Sequence, residues 1–270
     1  MKTCIATVSI PGSFEEKISA ISAAGFDAIE LFEPDLANFS GSVRDAAAIV
    51  QDHGLEIAVL QPFRDFEGQS DRNRTAAFDA AERKFELMNE LGTSLLLVCS
   101  SVASDSLGDI GRIVEDFQRL AVMAAGYGLR VGYEALAWGQ HIKDVSQAWN
   151  VIEKCNHPNL GLVIDSFHAL VGQTDLNIIR EISGDRIFFL QIADAPLLDM
   201  GALQLSRNYR RVPGGGDLDV DGVVRAVLST SYAGPLSLEI FQTALSAEFA
   251  TKIAEEDYQS LVSLIRRVTG

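Results

Sequence analysis

Four side chains able to offer oxygen ligands stand at the ends of four short apolar runs: Glu134, Asp165, Gln191 and Glu239. Leu129 to Tyr133 precedes Glu134, Leu160 to Ile164 precedes Asp165, Ile187 to Leu190 precedes Gln191, and Pro235 to Leu238 precedes Glu239. A single strand-end carboxylate often does no more than cap a helix or pair with an arginine. Four polar ends on four strands in one half of a chain indicate a point where those strands converge. Together they would form a cage of oxygens with neither sulfur nor imidazole, which suits a hard divalent cation. Three carboxylates and one neutral amide favour Mg2+, Mn2+ or Co2+ over zinc.

Other groups near these ends bear on chemistry. His168 lies one turn beyond Asp165 in Asp165-Ser166-Phe167-His168, placed for proton transfer or substrate orientation. His141, in the loop after Glu134, is a second candidate for substrate contact. His53 at a helix end and His157 before Pro158 read as structural. Asp194, three residues past Gln191, fits either support of a ligand or the cap of the following loop. Arg64 follows the third strand, and Ser206, Arg207, Arg210 and Arg211 lie in the long segment after the seventh. Arginines gathered on one rim of an acidic protein make a carboxylate clamp, because the planar guanidinium binds two oxygens at once. The run Pro213-Gly214-Gly215-Gly216-Asp217 lacks the Walker pattern and reads as a turn into the next helix rather than a phosphate cradle.

The elements that must position these groups alternate regularly. Strands are expected over Cys4 to Ser9, Ala28 to Phe32, Glu56 to Leu60 and Ser94 to Cys99, followed by the four runs above. Helices are expected over Ser13 to Ala24, Ser42 to His53, Asp71 to Leu91, Asp109 to Tyr127, Asp144 to Cys155, Asp175 to Ile182, Asp219 to Thr230 and Ala250 to Val268. Ser13-x-x-Glu16 and Ser42-x-x-Asp45 have the form of capping boxes, and Gly25, Gly54, Gly92 and Gly128 stand just past helix ends. Eight strands alternating with eight helices imply parallel pairing through right-handed crossovers. The count favours a closed (β/α)8 TIM barrel, one catalytic domain over 1–270, above an open doubly wound sheet. No glycine fingerprint opens the first crossover, against a dinucleotide site. In such a barrel, active sites occupy the C-terminal strand ends, where all four opening residues fall.

Composition narrows the partners. The chain has 270 residues and a formal net charge of −15, so it lacks the Lys/Arg surplus that nucleic-acid binding requires. No apolar run is long enough for a membrane span, and the N-terminus lacks the layout of a signal peptide, which implies a cytoplasmic protein. Cys4, Cys99 and Cys155 are odd in number, without metal-ligand spacing, and read as core thiols. The expected partner is a small anionic molecule. A homo-oligomer is compatible with the fold, though one chain shows no interface.

Longer motifs carry a resemblance. Ile5 to Ser9, Gln61-Pro62-Phe63-Arg64-Asp65-Phe66-Glu67-Gly68, Ala81 to Phe85, Tyr133 to Gly139, Asp165 to His168 and Leu236 to Phe241 resemble the xylose isomerase-like barrel superfamily of sugar isomerases, epimerases and dehydratases. Within it the chain is similar, over essentially its whole length, to the bacterial 3-dehydroshikimate dehydratases. The resemblance implies a xylose isomerase-like TIM barrel, with Glu134, Asp165, Gln191 and Glu239 holding a divalent metal. It also implies acid/base work by His168 and substrate contacts from Arg64, Ser206 and Arg210. The sugar isomerases generally place histidine where this chain has Gln191. The implied reaction is dehydration of 3-dehydroshikimate to protocatechuate in quinate and shikimate catabolism. Some relatives carry a dioxygenase-like domain after the barrel, whereas this sequence stops at Gly270, which puts any property that depends on that domain in doubt. Competing readings are a sugar or hydroxypyruvate isomerase or epimerase, an inosose-type dehydratase, and a non-catalytic small-molecule-binding protein. A repair endonuclease of this fold would need a histidine cluster and a basic groove, which four histidines and the acidic charge oppose.

Overall fold

The chain is described by a computed structural model over residues 1–241 and 246–270. Eight parallel strands close into a barrel in sequence order: β1 Thr3–Ala6, β2 Ala28–Phe32, β3 Glu56–Phe63, β4 Leu95–Cys99, β5 Arg130–Glu134, β6 Leu160–Asp165, β7 Ile187–Ile192 and β8 Leu236–Leu238. β1 pairs with both β2 and β8, which completes the closure and excludes the open sheet.

Helices surround the barrel where the apolar periodicity places them. Ser13 and Ser42 both form reciprocal capping boxes, with Glu16 and Asp45. Gly25 and Gly92 end their helices at φ 99° and 73°, a left-handed conformation in which glycine carries no steric penalty. Asp109, Asp144, Asp175 and Asp219 cap later helices by accepting from backbone N–H groups. Among the described residues, no helix is long and apolar enough to cross a membrane.

Alternation along each strand sorts side chains into two layers. One set, including Ile5, Ile29, Leu60, Leu96, Val131, Leu162, Ile164 and Leu190, packs outward against the helices. The other, Cys4, Ala28, Val59, Leu95, Leu97, Cys99, Val163 and Phe189, belongs to a separate cluster inside the barrel. Two residues further along the inward face come Glu30 after Ala28, Gln61 after Val59, Asp165 after Val163 and Gln191 after Phe189. The polar layer is therefore the top course of the barrel filling.

Two strands, β1 and β3, end three residues from where they are expected. β1 ends at Ala6, and Thr7–Ser9 forms a 3-10 turn. There the Thr7 hydroxyl accepts from Phe32 N at 3.1 Å and the Ser9 hydroxyl accepts from Ile240 N at 2.9 Å, replacing ladder bonds by side-chain ones. β3 runs past Leu60 to Phe63, which brings Gln61 inside a strand, opposite Phe32. Short helices over Glu33–Ala37, Ser166–Val171 and Ala202–Tyr209 were not expected from periodicity.

Candidate metal and substrate site

At the C-terminal rim a narrow cleft is lined by Gln61, Arg64, Cys99, Glu134, Leu136, Trp138, His168, Arg207, Arg210, Glu239 and Phe241. A larger hollow, about 650 Å³, lies between the helices Val43–Asp52 and Asp71–Leu91 at the opposite end of the barrel, beside Gln51, Glu56 and Glu90. The smaller cleft is where barrel chemistry belongs, and only it borders the rim carboxylates.

Each of the four expected ligands has one polar atom tied down. Cys99 Sγ donates to Glu134 Oε2 at 3.2 Å, and Phe167 N donates to Asp165 Oδ1 at 2.7 Å. Gln191 Nε2 donates to Glu30 Oε2 at 2.7 Å, and Gln61 Nε2 donates to Glu239 Oε1 at 2.9 Å. Each keeps one further oxygen, and these oxygens differ in what they meet. Glu134 Oε1 and Gln191 Oε1 are buried without a hydrogen-bond partner among the described residues. Glu239 Oε2 faces Arg210 Nη1 at 3.0 Å, and Arg210 Nη2 lies 2.7 Å from Asp165 Oδ2.

Electrostatics points the same way. Glu30, Glu134, Asp165 and Glu239 are all buried, and among them lies one buried guanidinium, Arg210. Burial, then the charges of Asp165 and Glu239, pushes Glu134 up to about 8. Burial also raises Asp165 and Glu239, with Arg210 opposing in each case. Buried carboxylates in excess of their counter-charges are costly unless a cation joins them. The donor set and the orphaned oxygens thus fit a divalent metal. Glu134, Asp165 and His168 can each offer a ligand atom, all within 4.8 Å of one another.

His168 is buried, in edge contact with Trp138 at 4.8 Å and Phe167 at 5.3 Å. Ala137 N donates to its Nδ1 at 3.1 Å, which turns Nε2 toward Asp165 Oδ2 and Glu134 Oε1 at 3.8 and 3.9 Å and toward Arg210 Nη2 at 3.2 Å. Burial and the arginines Arg210, Arg64 and Arg207 hold its pKa well below the ordinary histidine value, so the ring is neutral at pH 7.

The arginines separate into two kinds. Arg210 is buried, and its Nε donates to the Ser206 hydroxyl one turn earlier at 3.1 Å. Ser206 therefore reaches the cleft through Arg210. Arg64 and Arg207 stand at the mouth, where Arg207 lies 4.5 Å above the Phe241 ring. Burial, then the nearby Arg64 charge, lowers the Arg207 pKa. Arg211 is elsewhere: its backbone pairs with Asp194 and its Nη1 donates to Gly215 O.

Two further residues settle outside the cleft. His141 Nε2 lies 2.8 Å from the Ser106 carbonyl, and its ring packs on Gly108, so it fastens the loop after β4 instead of lining the cleft. Asp194 accepts from the backbone N–H groups of Ala195, Gly214, Gly216 and Leu218. That makes it the cap of its loop and fills the glycine run with a carboxylate of the chain's own.

The sequence reading missed Glu30 and Gln61, both in the polar course, and the latch that carries Arg64. Asp65 Oδ1 accepts from Val102 N at 2.9 Å and Ala103 N at 3.1 Å, while Glu67 Oε1 accepts from Ser101 N at 2.6 Å and Tyr133 OH at 3.1 Å. The motif Gln61 to Gly68 therefore ends β3 at Phe63 and continues as a loop sewn to its neighbour, with one arginine projecting from it. Cys99, read as a core thiol, also orients Glu134.

Comparison with known proteins agrees with this architecture. Residues 18–267 match the family model described as xylose isomerase-like TIM barrel. The chain belongs to this family. A curated 3-dehydroshikimate dehydratase of Pseudomonas putida is 48% identical over 98% of this chain and 42% of its own length. The chain thus spans about two-fifths of that relative. A solved xylose isomerase-like TIM barrel/4-hydroxyphenylpyruvate dioxygenase fusion protein superposes with a TM-score of 0.97 at 47% identity, over 99% of this chain and 43% of the other. A solved IOLI protein with a bound zinc atom, 20% identical, shares the fold at a TM-score of 0.90 over the whole of both chains.

Proposed function

We propose that this xylose isomerase-like barrel is a hydro-lyase that converts 3-dehydroshikimate to protocatechuate and water, using a divalent metal held by Glu134, Asp165, Gln191 and Glu239. One observation carries the reading. Four inward oxygens, two of them unpartnered and two held by Arg210, sit beneath a mouth lined by Arg64 and Arg207. A cation below and paired guanidiniums above match a substrate with a ketone at one end and a carboxylate at the other. The name of the Pseudomonas putida relative supports the choice of that substrate among keto acids.

The chain's own groups then have defined tasks. Arg64 and Arg207 bind the ring carboxylate through paired N–H donors. Trp138, Leu136 and Phe241 line the walls and keep water from the ring. Arg210, set by Ser206, keeps Asp165 and Glu239 in register. His168 meets the cleft through Nε2, which carries the neutral ring's proton because Nδ1 accepts from Ala137 N. There it hydrogen-bonds the hydroxyl β to the ketone, which departs as water with the proton lost from carbon. A bound Mg2+, Mn2+ or Co2+ ion would supply Lewis-acid polarisation of the ketone oxygen, which acidifies the neighbouring C–H.

The test is conversion of 3-dehydroshikimate by protein stripped with chelator and reloaded with Mn2+, Mg2+ or Co2+. Protocatechuate absorbance should grow only in the reloaded samples. No product with any of the three metals would reject the reaction, and turnover of a ketose or hydroxypyruvate instead would favour an isomerase.

A further inference from the structure

A carboxylate that the proposed chemistry does not use lies directly under the cage. Glu30, on β2, is completely buried and carries no cation partner among the described residues. Its Oε2 receives two amides: Gln191 Nε2 at 2.7 Å and Gln61 Nε2 at 3.4 Å. The same Gln61 nitrogen donates to Glu239 Oε1 at 2.9 Å. A continuous run, Glu239–Gln61–Glu30–Gln191, therefore links β8, β3, β2 and β7 beneath the site. An oxygen that accepts from two NH2 groups leaves no choice at Gln191. The amide nitrogen points down to Glu30, and the carbonyl oxygen, buried and unpartnered, points up into the cage.

We propose that Glu30 is a positioning residue that fixes the orientation of the Gln191 amide and so decides that this position presents oxygen, not NH2, to a metal. This rests on the metal reading above. A glutamine is a ligand only through its oxygen, and a free side-chain amide rotates with little penalty, so an unanchored Gln191 would offer a donor hydrogen half of the time. The acceptor beneath removes that freedom. The glutamate's length also matters, since it must reach across the barrel interior from β2 to the amide of β7, with β1 and β8 between them in the wall. Partners of this kind, once removed, typically cost metal sites about 10- to 100-fold in affinity.

Mn2+ titration calorimetry on the purified protein tests the idea, with far-UV circular dichroism as the check on folding. Glu30→Met, close in shape but without an acceptor, should weaken Mn2+ binding by about 10- to 100-fold. Glu30→Gln keeps an acceptor for Gln191 and should stay within about threefold of wild type. Glu30→Asp draws the acceptor back by one methylene, carries the same expected loss as Glu30→Met, and replaces it if the Met variant fails to fold. In a Gln191→Ala background, removing Glu30 should cost less than about a further twofold, because the amide it orients is gone. A folded Glu30→Met or Glu30→Asp protein with wild-type affinity overturns the proposal. So does an equal loss in both backgrounds, which would make Glu30 a packing element. Failure of the metal reading looks different: wild-type protein would bind none of Mn2+, Mg2+ or Co2+, and the inference would fall with it.

Discussion

The floor and the mouth of the cleft handle charge in different ways. On the floor, Glu134, Asp165, Gln191 and Glu239 are buried, and each has one atom fixed by a named partner: Cys99, the Phe167 amide, Glu30 and Gln61. At the mouth, Arg64 and Arg207 are only half-buried and bring like charges together, with an aromatic face beside one of them. A floor built of fixed, half-satisfied oxygens suits an ion that stays. A mouth holding uncompensated cations suits an anion that arrives and leaves, and it does so in a protein whose net charge is −15. Local placement overrides the global field.

The contrast is breakable by substitution. The largest effect is expected on the floor: Glu134→Gln should lower turnover by at least about a thousandfold with secondary structure intact, because it removes charge at a ligand. Steady-state rates with 3-dehydroshikimate and circular dichroism check this. At the mouth, Arg64→Ala or Arg207→Ala should raise KM by roughly 10- to 100-fold, with a smaller change in kcat and a weaker dependence on salt. Equal losses of kcat at floor and mouth would erase the distinction.

Ion binding gives a third, intermediate effect. Saturating Mn2+, at about 100 times its Kd, should stabilise the fold by roughly 2.7 kcal/mol, seen as a raised Tm in wild type and a much smaller rise in Glu134→Gln.

These residues differ in how well sequence alone reveals them. Glu134, Asp165 and Gln191 close, or nearly close, their strands, and Glu239 follows β8 directly, so an apolar run broken by one polar residue exposes them. The closed barrel was legible because caps and strand spacing agree along the whole chain. Glu30 and Gln61 escaped because they lie inside strands, where a polar residue between Ile29 and Leu31 or after Leu60 reads as noise. Their signal is parity: each stands two residues beyond an inward-facing Ala28 or Val59. The link from Ser206 to Arg210 needed the helix Ala202–Tyr209, whose eight residues lack a side-chain cap and make too short a run to stand out from a loop. His141 went the other way. Its place in a rim loop suggested substrate contact, but folding back onto Ser106 is a tertiary choice that spacing does not encode.

The smallest expected effect concerns the latch behind Arg64. Burial raises Glu67 to about 7, above its ordinary value of 4.5. A carboxyl that holds its proton more tightly when folded contributes most below pH 4.5, and that contribution is lost as pH rises through about 7. Asp257, also raised to about 7 by burial, adds a change of the same sign. Glu67→Gln should therefore flatten part of the fall in stability between those pH values, by a few kcal/mol at most, in denaturant titrations of metal-free protein. An unchanged pH profile would show that Glu67 titrates normally. The mouth should stay in place in this variant, with KM within about twofold of wild type.

The central claim is that four oxygens on the floor hold one metal. Anomalous diffraction from crystals grown with Mn2+ tests it directly. The account predicts a single strong peak on the floor, at coordination distance from Glu134 Oε1, Asp165 Oδ2, Gln191 Oε1 and Glu239 Oε2 together. A floor without a peak, or a peak bound elsewhere while Arg210 still bridges Asp165 and Glu239, would contradict it.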